Sequence, residues 1–556
     1  VPEYLSPGVY VEEVDRGPKP IEGVGTSTAV FIGFTEKAQA LETVDGETVV
    51  RDLLGKAQFV TNWSQYLQSF GSFVDGAYLP LSVYGFFQNG GQRCYVLSVK
   101  TMPKAQAGLL NGEGKAQLVV RSRVAGDAGR RLRVKVSGGA IAAPAAAAPK
   151  RGEKKDDTAP AADAAPAAPA ASSGDGSGAF TITVERQKLS GGWEVKETVR
   201  EAMLNEVDVD GVKRAGVAYK DNRAPQWIEI EVPQGQALAK LTPREQEQSL
   251  NIDAGLLMSP AAKDFQGDVA ERTGMEGLEA IEDINIICIP DLMTPMPGQK
   301  LDLQTVKAVQ IAAIAHAERV GNRVVVLDAP PDLTPQAVAK WRKDSGFDSS
   351  YAALYYPWLQ VSDPATNRVI NVPASGYVAG VWARSDTTRG VHKAPANEVV
   401  QGAMGLAYGV TKGEQDILNP IGVNCIRAMP PTMGIRVWGA RTLSGNPSWK
   451  YINVRRLFNF VEKSIENSTQ WTVFEPNDQV LWGQIKRDVN AFLTEVWRSG
   501  ALFGQSPSQA FYVKCDEELN PSSSRDLGRL IIEIGMSPVK PAEFVIFRIS
   551  QWAGTS

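Results

Sequence analysis

Between residues 284 and 356, apolar runs of strand length alternate with amphipathic stretches of helix length. That rhythm restricts the chain to few folds. Ile284–Ile289 reads as a strand. Leu303–Val320 reads as a helix, with Val306, Val309, Ile311, Ala313 and Ile314 apolar among polar positions. Arg323–Leu327 is again strand-like, Thr334 is an N-cap for a helix reaching Lys343, and Tyr351–Tyr356 closes the series as a strand. Strands that are apolar throughout are buried on both faces. Separated by helices, they predict a parallel sheet covered by helices.

The same pattern begins earlier in the chain. Ala29-Val30-Phe31-Ile32-Gly33-Phe34 predicts a buried strand, followed by helices near Trp63–Phe70 and Leu79–Gln88 and a strand over Arg93–Val99. Between Met102 and Gly267 the composition shifts. Gln117–Val124, Arg131–Val136, Phe180–Glu185 and Trp227–Val232 read as strands. The Ala/Pro/Gly/Ser-rich stretch 140–178 lacks apolar side chains for a core and reads as a surface loop. The parallel-sheet body is thus expected to carry an inserted, solvent-facing β-rich domain. Arg121, Arg123, Arg130, Arg131 and Arg133 are expected on a solvated face of it.

Beyond Asn397 the character changes again. Asn453–Glu466 reads as a helix. Asn477 is the expected N-cap of a helix Asp478–Arg498, whose Leu481, Trp482, Ile485, Val489, Phe492, Leu493, Val496 and Trp497 share one face. Ala510–Lys514 and Leu530–Glu533 read as strands. At the far end Phe544-Val545-Ile546-Phe547-Arg548-Ile549 is β-prone and apolar on both faces, and Pro538 and Pro541 separate it from the preceding strand. An unpaired strand of this kind invites pairing with another chain. At the N-terminus Val9, Tyr10, Val11 and Glu12 alternate as a short strand, linked to the body by the stiff Gly17-Pro18-Lys19-Pro20. Spacing alone leaves open whether either strand pairs within its own chain or with a neighbour.

The 556 residues suffice for roughly three to four domains. A net charge of -4 argues against a nucleic-acid partner. No apolar run approaches the ~20 residues a bilayer requires. Val1-Pro2-Glu3-Tyr4 shows no signal-peptide pattern, so assembly in the cytoplasm is expected. Cys94, Cys288, Cys425 and Cys515 are scattered, which suits buried small hydrophobes in a reducing compartment. Only His316 and His392 are available as histidines, and they lie far apart. Both are expected to be structural, and no clustered metal ligands are seen. No phosphate-binding loop or nucleophile elbow is present. Gly23-Val24-Gly25 precedes a strand instead of following one, the wrong order for dinucleotide binding. The hydroxyls of Thr26, Ser27 and Thr28 are expected to bond backbone. Neither an enzyme nor a cofactor is expected.

Several motifs together resemble the tail-sheath proteins of contractile phage tails and of phage-like, extracellular-type contractile injection systems. They are Tyr4-Leu5-Ser6-Pro7-Gly8-Val9-Tyr10-Val11-Glu12-Glu13, Gly25–Gly33, Asn419–Asn424, Arg436–Leu443, Tyr451–Arg456, Phe474-Glu475-Pro476-Asn477 and Pro541-Ala542-Glu543-Phe544. They cover both ends and the body but not the insertion. The resemblance implies stacked hexameric rings around an inner tube. Terminal arms would exchange strands between subunits, and contraction, driven by protein contacts without nucleotide, would push the tube into a target membrane or cell. Other self-assembling structural proteins, such as capsid, tube or surface-layer subunits, are the alternative.

The expected fold class is accordingly α/β and α+β multidomain. An N-terminal arm, 1–22, precedes a discontinuous parallel-sheet α/β core, 23–101 and 268–396. The inserted β-rich surface domain occupies 102–267. An α+β C-terminal domain, 397–537, is followed by a C-terminal arm, 538–556. The arms are expected to donate Val9, Tyr10, Val11, Glu12 and Phe544, Val545, Ile546, Phe547, Ile549 to an acceptor sheet containing Phe511, Tyr512, Val513, Ile531 and Ile532. An inner-tube contact is placed at Arg455, Arg456, Glu462 and Lys463. The implied partners are other copies of the chain, an inner tube protein, and baseplate and terminal cap proteins. Neither nucleic acid nor direct membrane insertion is implied.

Overall fold

The computed structural model describes residues 21–548, apart from 45–46, 111–115, 138–178, 189, 210–211, 220–222, 234–244, 297–298 and 431–432. The expectations for Val9, Tyr10, Val11, Glu12, the loop 140–178 and Ile549 lie outside the described residues.

A nine-stranded sheet forms the body, in the order Glu398–Val399, Ile435–Val437, Val423–Ala428, Ala352–Tyr356, Val324–Asp328, Ile286–Cys288, Ala29–Thr35, Cys94–Thr101 and Ala57–Val60. The strands from Val423–Ala428 through Cys94–Thr101 run parallel. Strands at both edges are antiparallel. The central strands feed two separate cores, because successive side chains point to opposite faces. Val30, Ile32 and Phe34 join one cluster, and Ala29 and Phe31 the other. Val325 and Leu327 likewise oppose Val324 and Val326. On the first face lie the helices Leu303–Val320, capped by Asp302, and Pro335–Ser345, capped by Thr334. On the second lie Trp63–Phe70, Leu79–Gln88 and Ser375–Arg389. Of the five apolar positions expected on Leu303–Val320, Ile311 is exposed. Its direction on the helix lies away from the stripe formed by Val306, Val309 and Ala313.

Between the strand Cys94–Thr101 and the α/β repeat stand two antiparallel sheets. One has five strands, from Val212–Ala218 through Trp193–Val209, Phe180–Gln187 and Leu132–Ser137 to Gln246–Ser249. The other has three, Ile228–Glu231, Ala116–Ala125 and Lys104–Leu110. Alternate residues Leu132, Val134 and Val136 meet Phe180, Ile182, Val184, Leu118 and Val120 in a third core. The arginines here are paired rather than gathered into a basic patch. Arg121 meets Glu231, Arg123 meets Glu229, Arg130 meets Asp127, and Arg133 meets Glu185 and Glu247.

The fourth core joins the helices Ile452–Ser468 and Gln479–Arg498 to the two-stranded sheet Phe511–Lys514 and Glu533–Met536. Two expectations need correction. The long helix is capped by Asp478, not Asn477. The Asp478 carboxylate accepts from the amides of Val480 and Leu481, both at 2.9 Å, while Asn477 Oδ1 accepts from Trp482 Nε1 at 2.7 Å. The second strand starts at Glu533, so Ile531 and Ile532 precede it. The Asn520 amide accepts from Ile531 N at 2.7 Å and donates to Ile531 O at 2.9 Å, occupying the groups a strand partner would use.

Candidate assembly site

Where strand order in the sheet reverses, a buried carboxylate of the chain meets a helix N-terminus. Strand order reverses beside Ala29–Thr35, which has Cys94–Thr101 on one side and Ile286–Cys288 on the other. Crevices at the carboxyl ends of such strands are the usual ligand positions. Here Asp291 occupies the crevice. Its carboxylate accepts from Phe34 N at 2.6 Å and Leu79 N at 3.1 Å, and also from Tyr78 N. It sits where an anion would sit against the N-terminus of the helix Leu79–Gln88. Gly33 leaves it room, since a Cβ there would collide with the carboxylate. Burial raises the Asp291 carboxyl to about 7, against the opposing pull of these amides. Asp328 does the same for Ser375–Arg389, accepting from Ser375 N at 2.9 Å, and burial raises it to about 6.

The histidines are apart and engaged structurally. His316 is fully buried, with Nε2 3.1 Å from Arg323 Nη1. Burial, then the Arg323 charge, lowers it to about 4, so a neutral ring accepts from the guanidinium. The His392 carbonyl accepts from Asn453 Nδ2 at 2.8 Å. Among the described residues no His, Cys, Asp or Glu group is arranged to hold a metal.

The helix Ile452–Ser468 is the seam of the molecule. Arg456 donates to both Asp386 oxygens, at 2.9 and 2.5 Å, and to Thr26 O at 2.9 Å. Thr26 Oγ1 donates to the same carboxylate at 2.6 Å, so its hydroxyl bonds a side chain and not the expected backbone. Arg455 lies 4.5 Å from the Tyr351 ring centre and 4.3 Å from that of Trp449. It also reaches Asn459 at 2.7 Å and Glu462 at 3.3 Å. Lys463 pairs with Glu282 at 2.9 Å and Glu466 at 3.2 Å. Both arginines are buried, so this quartet is internal except for the exposed Glu462. Asp386 carried no sequence signal, because its partner is 70 residues away.

The first described residues and Val539 lie on this same C-terminal unit. Ile21 packs on its core, and the amides of Glu22 and Val24 donate to Ser468 Oγ at 3.3 Å and Ser464 Oγ at 3.1 Å. At the other end Val539 N donates to Ala501 O at 3.1 Å, and Val539 O accepts from Asn453 Nδ2 at 3.0 Å. Glu543 is the last tie. Its carboxylate accepts from Arg441 at 2.7 and 2.6 Å, from Asn419 at 2.8 Å and from the Tyr451 hydroxyl at 3.1 Å. Burial works to raise Glu543, but the hydrogen bonds of Arg441 and Asn419 and the Arg441 charge hold it below the ordinary glutamate value.

Residues 544–548 are bare. Phe544, Val545, Ile546 and Phe547 are 70%, 70%, 78% and 84% exposed, in no strand. Among the described residues the sheet Phe511–Lys514 with Glu533–Met536 has two strands, and Tyr512 is half exposed. A two-stranded sheet is marginal alone.

Comparison with known proteins finds tail-sheath relatives. The phage tail sheath protein central domain matches residues 270–443, and the phage tail sheath C-terminal domain matches residues 444–551. A prophage major tail sheath protein of Pseudomonas aeruginosa is 27% identical over 291 residues, covering 51% of this chain and 70% of that protein. The tail sheath protein of Vibrio phage KVP40 is 28% identical over 325 residues, covering 53% of this chain and 47% of that protein. In fold, the chain is similar to the anti-feeding prophage helical sheath in its contracted state. The TM-score is 0.55 at 20% identity, covering 99% of this chain and 100% of that one. The contracted sheath complex of an extracellular contractile injection system, PVC, gives 0.53 at 19% identity and covers 99% of each chain.

Proposed function

The chain belongs to the contractile tail-sheath proteins, a structural and non-enzymatic family, and from that premise we propose that it polymerises as stacked hexameric rings around an inner tube and contracts to drive the tube into a target. The observation that carries this reading is the exposed apolar run Phe544–Phe547, which leaves the body at the anchored Glu543. Buried between sheets, its four large side chains would contribute on the order of 10 kcal/mol before ordering costs.

In this reading each subunit donates two strands. The C-terminal arm and the N-terminal segment Val9–Glu12 add to the Phe511–Lys514 and Glu533–Met536 sheet of neighbours. Ile21 and Val539, at the roots of the two arms, lie on the unit that also carries the acceptor, while Glu543 ties the C-terminal arm to the body, so arm exchange would link both parts of neighbouring subunits into a mesh. The division into a discontinuous core, an inserted surface domain, an α+β C-terminal domain and two arms belongs to the same proposal. An inner-tube contact is retained for Glu462 alone, because it is exposed, whereas Arg455 and Arg456 are buried and Lys463 is largely covered beside Glu282 and Glu466. Baseplate and cap proteins would meet the terminal rings, after assembly in the cytoplasm.

The test is the full-length chain against two variants, one lacking residues 1–20 and one carrying Phe544→Asp with Ile546→Asp. Both are expected to be folded and soluble but unable to polymerise, as read by negative-stain microscopy and sedimentation. Normal sheaths from either variant overturn strand exchange.

A further inference from the structure

Segment 21–28 leads into the strand Ala29–Thr35 and belongs to no strand itself. It is held along one stripe of the helix Ile452–Ser468. Glu22 N donates to Ser468 Oγ at 3.3 Å, Val24 N donates to Ser464 Oγ at 3.1 Å, and Thr26 O accepts from Arg456 Nη2 at 2.9 Å. Gly23 stands against Phe460, where a Cβ would come within 2.9 Å of the ring. Residues 456, 460, 464 and 468 are spaced at i, i+4, so they share one face of the helix. Two residues of extended chain advance about 6.6 Å, and one i, i+4 step of helix about 6 Å. Alternate residues of the segment therefore keep pace with this face, and the segment runs antiparallel to the helix. Thr28 is then fixed at the sheet, its N donating to Asn285 Oδ1 at 3.2 Å and its O accepting from Asn285 N at 2.9 Å.

The opposite end of the same helix holds the root of the other arm. Asn453 Nδ2 donates to Val539 O at 3.0 Å, and the Tyr451 hydroxyl donates to Glu543 at 3.1 Å. Arg441, which grips Glu543, forms a backbone bridge with Tyr451, so this tie also stands at the start of the helix. The roots of the two arms thus sit at opposite ends of one helix, whose 17 residues span about 26 Å. Ile452, Val454, Leu457 and Val461 are buried, which fixes the helix in the molecule.

A pull on the N-terminal arm, directed away from Ser468, loads the contacts of Glu22, Val24 and Thr26 together, because they stand in a row along the pull. Without them the force would fall on Ala29–Thr35, which is paired on both sides within the large sheet.

We propose that the helix Ile452–Ser468 is the tension member between the two neighbours that a subunit joins. Force from one copy enters through the N-terminal arm at Ser468, Ser464 and Arg456. It leaves toward the next copy through Val539 and Glu543, and the strand Ala29–Thr35 is shielded. This rests on the strand-exchange reading above. Ser464 and Ser468 act here as positioning residues for the arm.

Single-molecule pulling on the full-length chain, with handles at its two ends, tests it. Ser464→Ala with Ser468→Ala removes the acceptors of Val24 and Glu22 and suits a helix. At constant force the dwell before the first unfolding step is expected to shorten roughly tenfold or more, because two hydrogen bonds no longer resist the pull. Stability to urea at rest should change little. An unchanged dwell overturns the proposal. A loss of stability at rest that accounts for the whole shortening assigns the serines to folding and also overturns it. Gly23→Ala leaves the helix sequence intact and pushes the segment off Phe460, so it is expected to shorten the dwell as well, and it serves where the serine variant fails to fold. Sheaths assembled from the serine variant are expected to break into shorter lengths under shear flow, as read by negative-stain microscopy. Sheaths as long as those of the wild type overturn the link and leave strand exchange standing. A wild-type chain that forms no sheath overturns both.

Discussion

Arg441 grips Glu543 with Nε and Nη2, one hydrogen bond to each carboxylate oxygen, at 2.7 and 2.6 Å. The pair joins the body to the last anchored residue before the exposed run, across 102 positions of sequence. Arg441→Ala is expected to destabilise this attachment by about 2 kcal/mol, the size of a charge-assisted contact. Limited proteolysis near residue 540 should accelerate, with the overall melting temperature little changed. Because Glu543 is held below its ordinary value, its contribution is present above the usual glutamate range and is lost as pH falls through the depressed folded value. Acidification through that depressed value, below the ordinary glutamate range, is therefore expected to free the arm in the wild type. Glu543→Gln should show the same loosening at neutral pH.

Asp291 has the opposite sign. Its carboxyl is raised to about 7 by burial, so between an unfolded value of about 4 and that folded value the native state holds the extra proton. Its contribution to stability falls as pH rises across that window. Asp291→Asn keeps an acceptor for the helix amides and removes the ionisation. Its melting temperature relative to wild type is expected to improve from pH 5 to pH 8. Asp291→Ala leaves the Phe34, Tyr78 and Leu79 amides without their acceptor and is expected to cost about 2–4 kcal/mol at either pH.

The helices Leu79–Gln88 and Ser375–Arg389 approach so closely that a Cβ on Gly376 would stand 2.5 Å from Ser82 Cβ and 2.6 Å from its Cα. Gly376→Ala is expected to cost about 1–3 kcal/mol by overpacking, measured by thermal or urea unfolding. Ser82→Gly should not rescue it, because the backbone atoms of Ser82 remain in the way.

All four thiols are buried, and burial raises each of them, Cys425 to about 12. Thiolate is the reactive form, so a thiol-titrating reagent at pH 8 should register almost none in the native chain. After denaturation it should register all four.

The sheet was legible in sequence because its signals are local. The helix Leu303–Val320 and the cap Thr334 fall where their patterns place them, as do Trp63–Phe70 and Leu79–Gln88. Boundaries slipped where two neighbouring residues were both competent. Asn477 and Asp478 are each good caps, and only the packing of Trp482 against Asn477 separates their roles. Ile531 and Ile532 have strand composition, but the Asn520 side chain takes the backbone of Ile531, and no pattern read along the chain shows a side chain imitating a strand.

The sequence by itself determined an α/β body with an inserted β-rich region, and an apolar segment, Phe544–Phe547, separated by Pro538 and Pro541 from the preceding strand. These follow from periodicity and backbone stereochemistry, which act over a few residues. Tertiary structure alone decided which charges belong to the interior. Arg455 and Arg456 read as a polar helix face, yet one lies against Tyr351 and Trp449 and the other is locked to Asp386 and Thr26. Tertiary structure also decided that Asp291 meets the Phe34, Tyr78 and Leu79 amides and that Glu543 is held by Arg441. Each depends on partners tens to hundreds of positions away, brought together only when the cores close, and burial then sets which charged form persists.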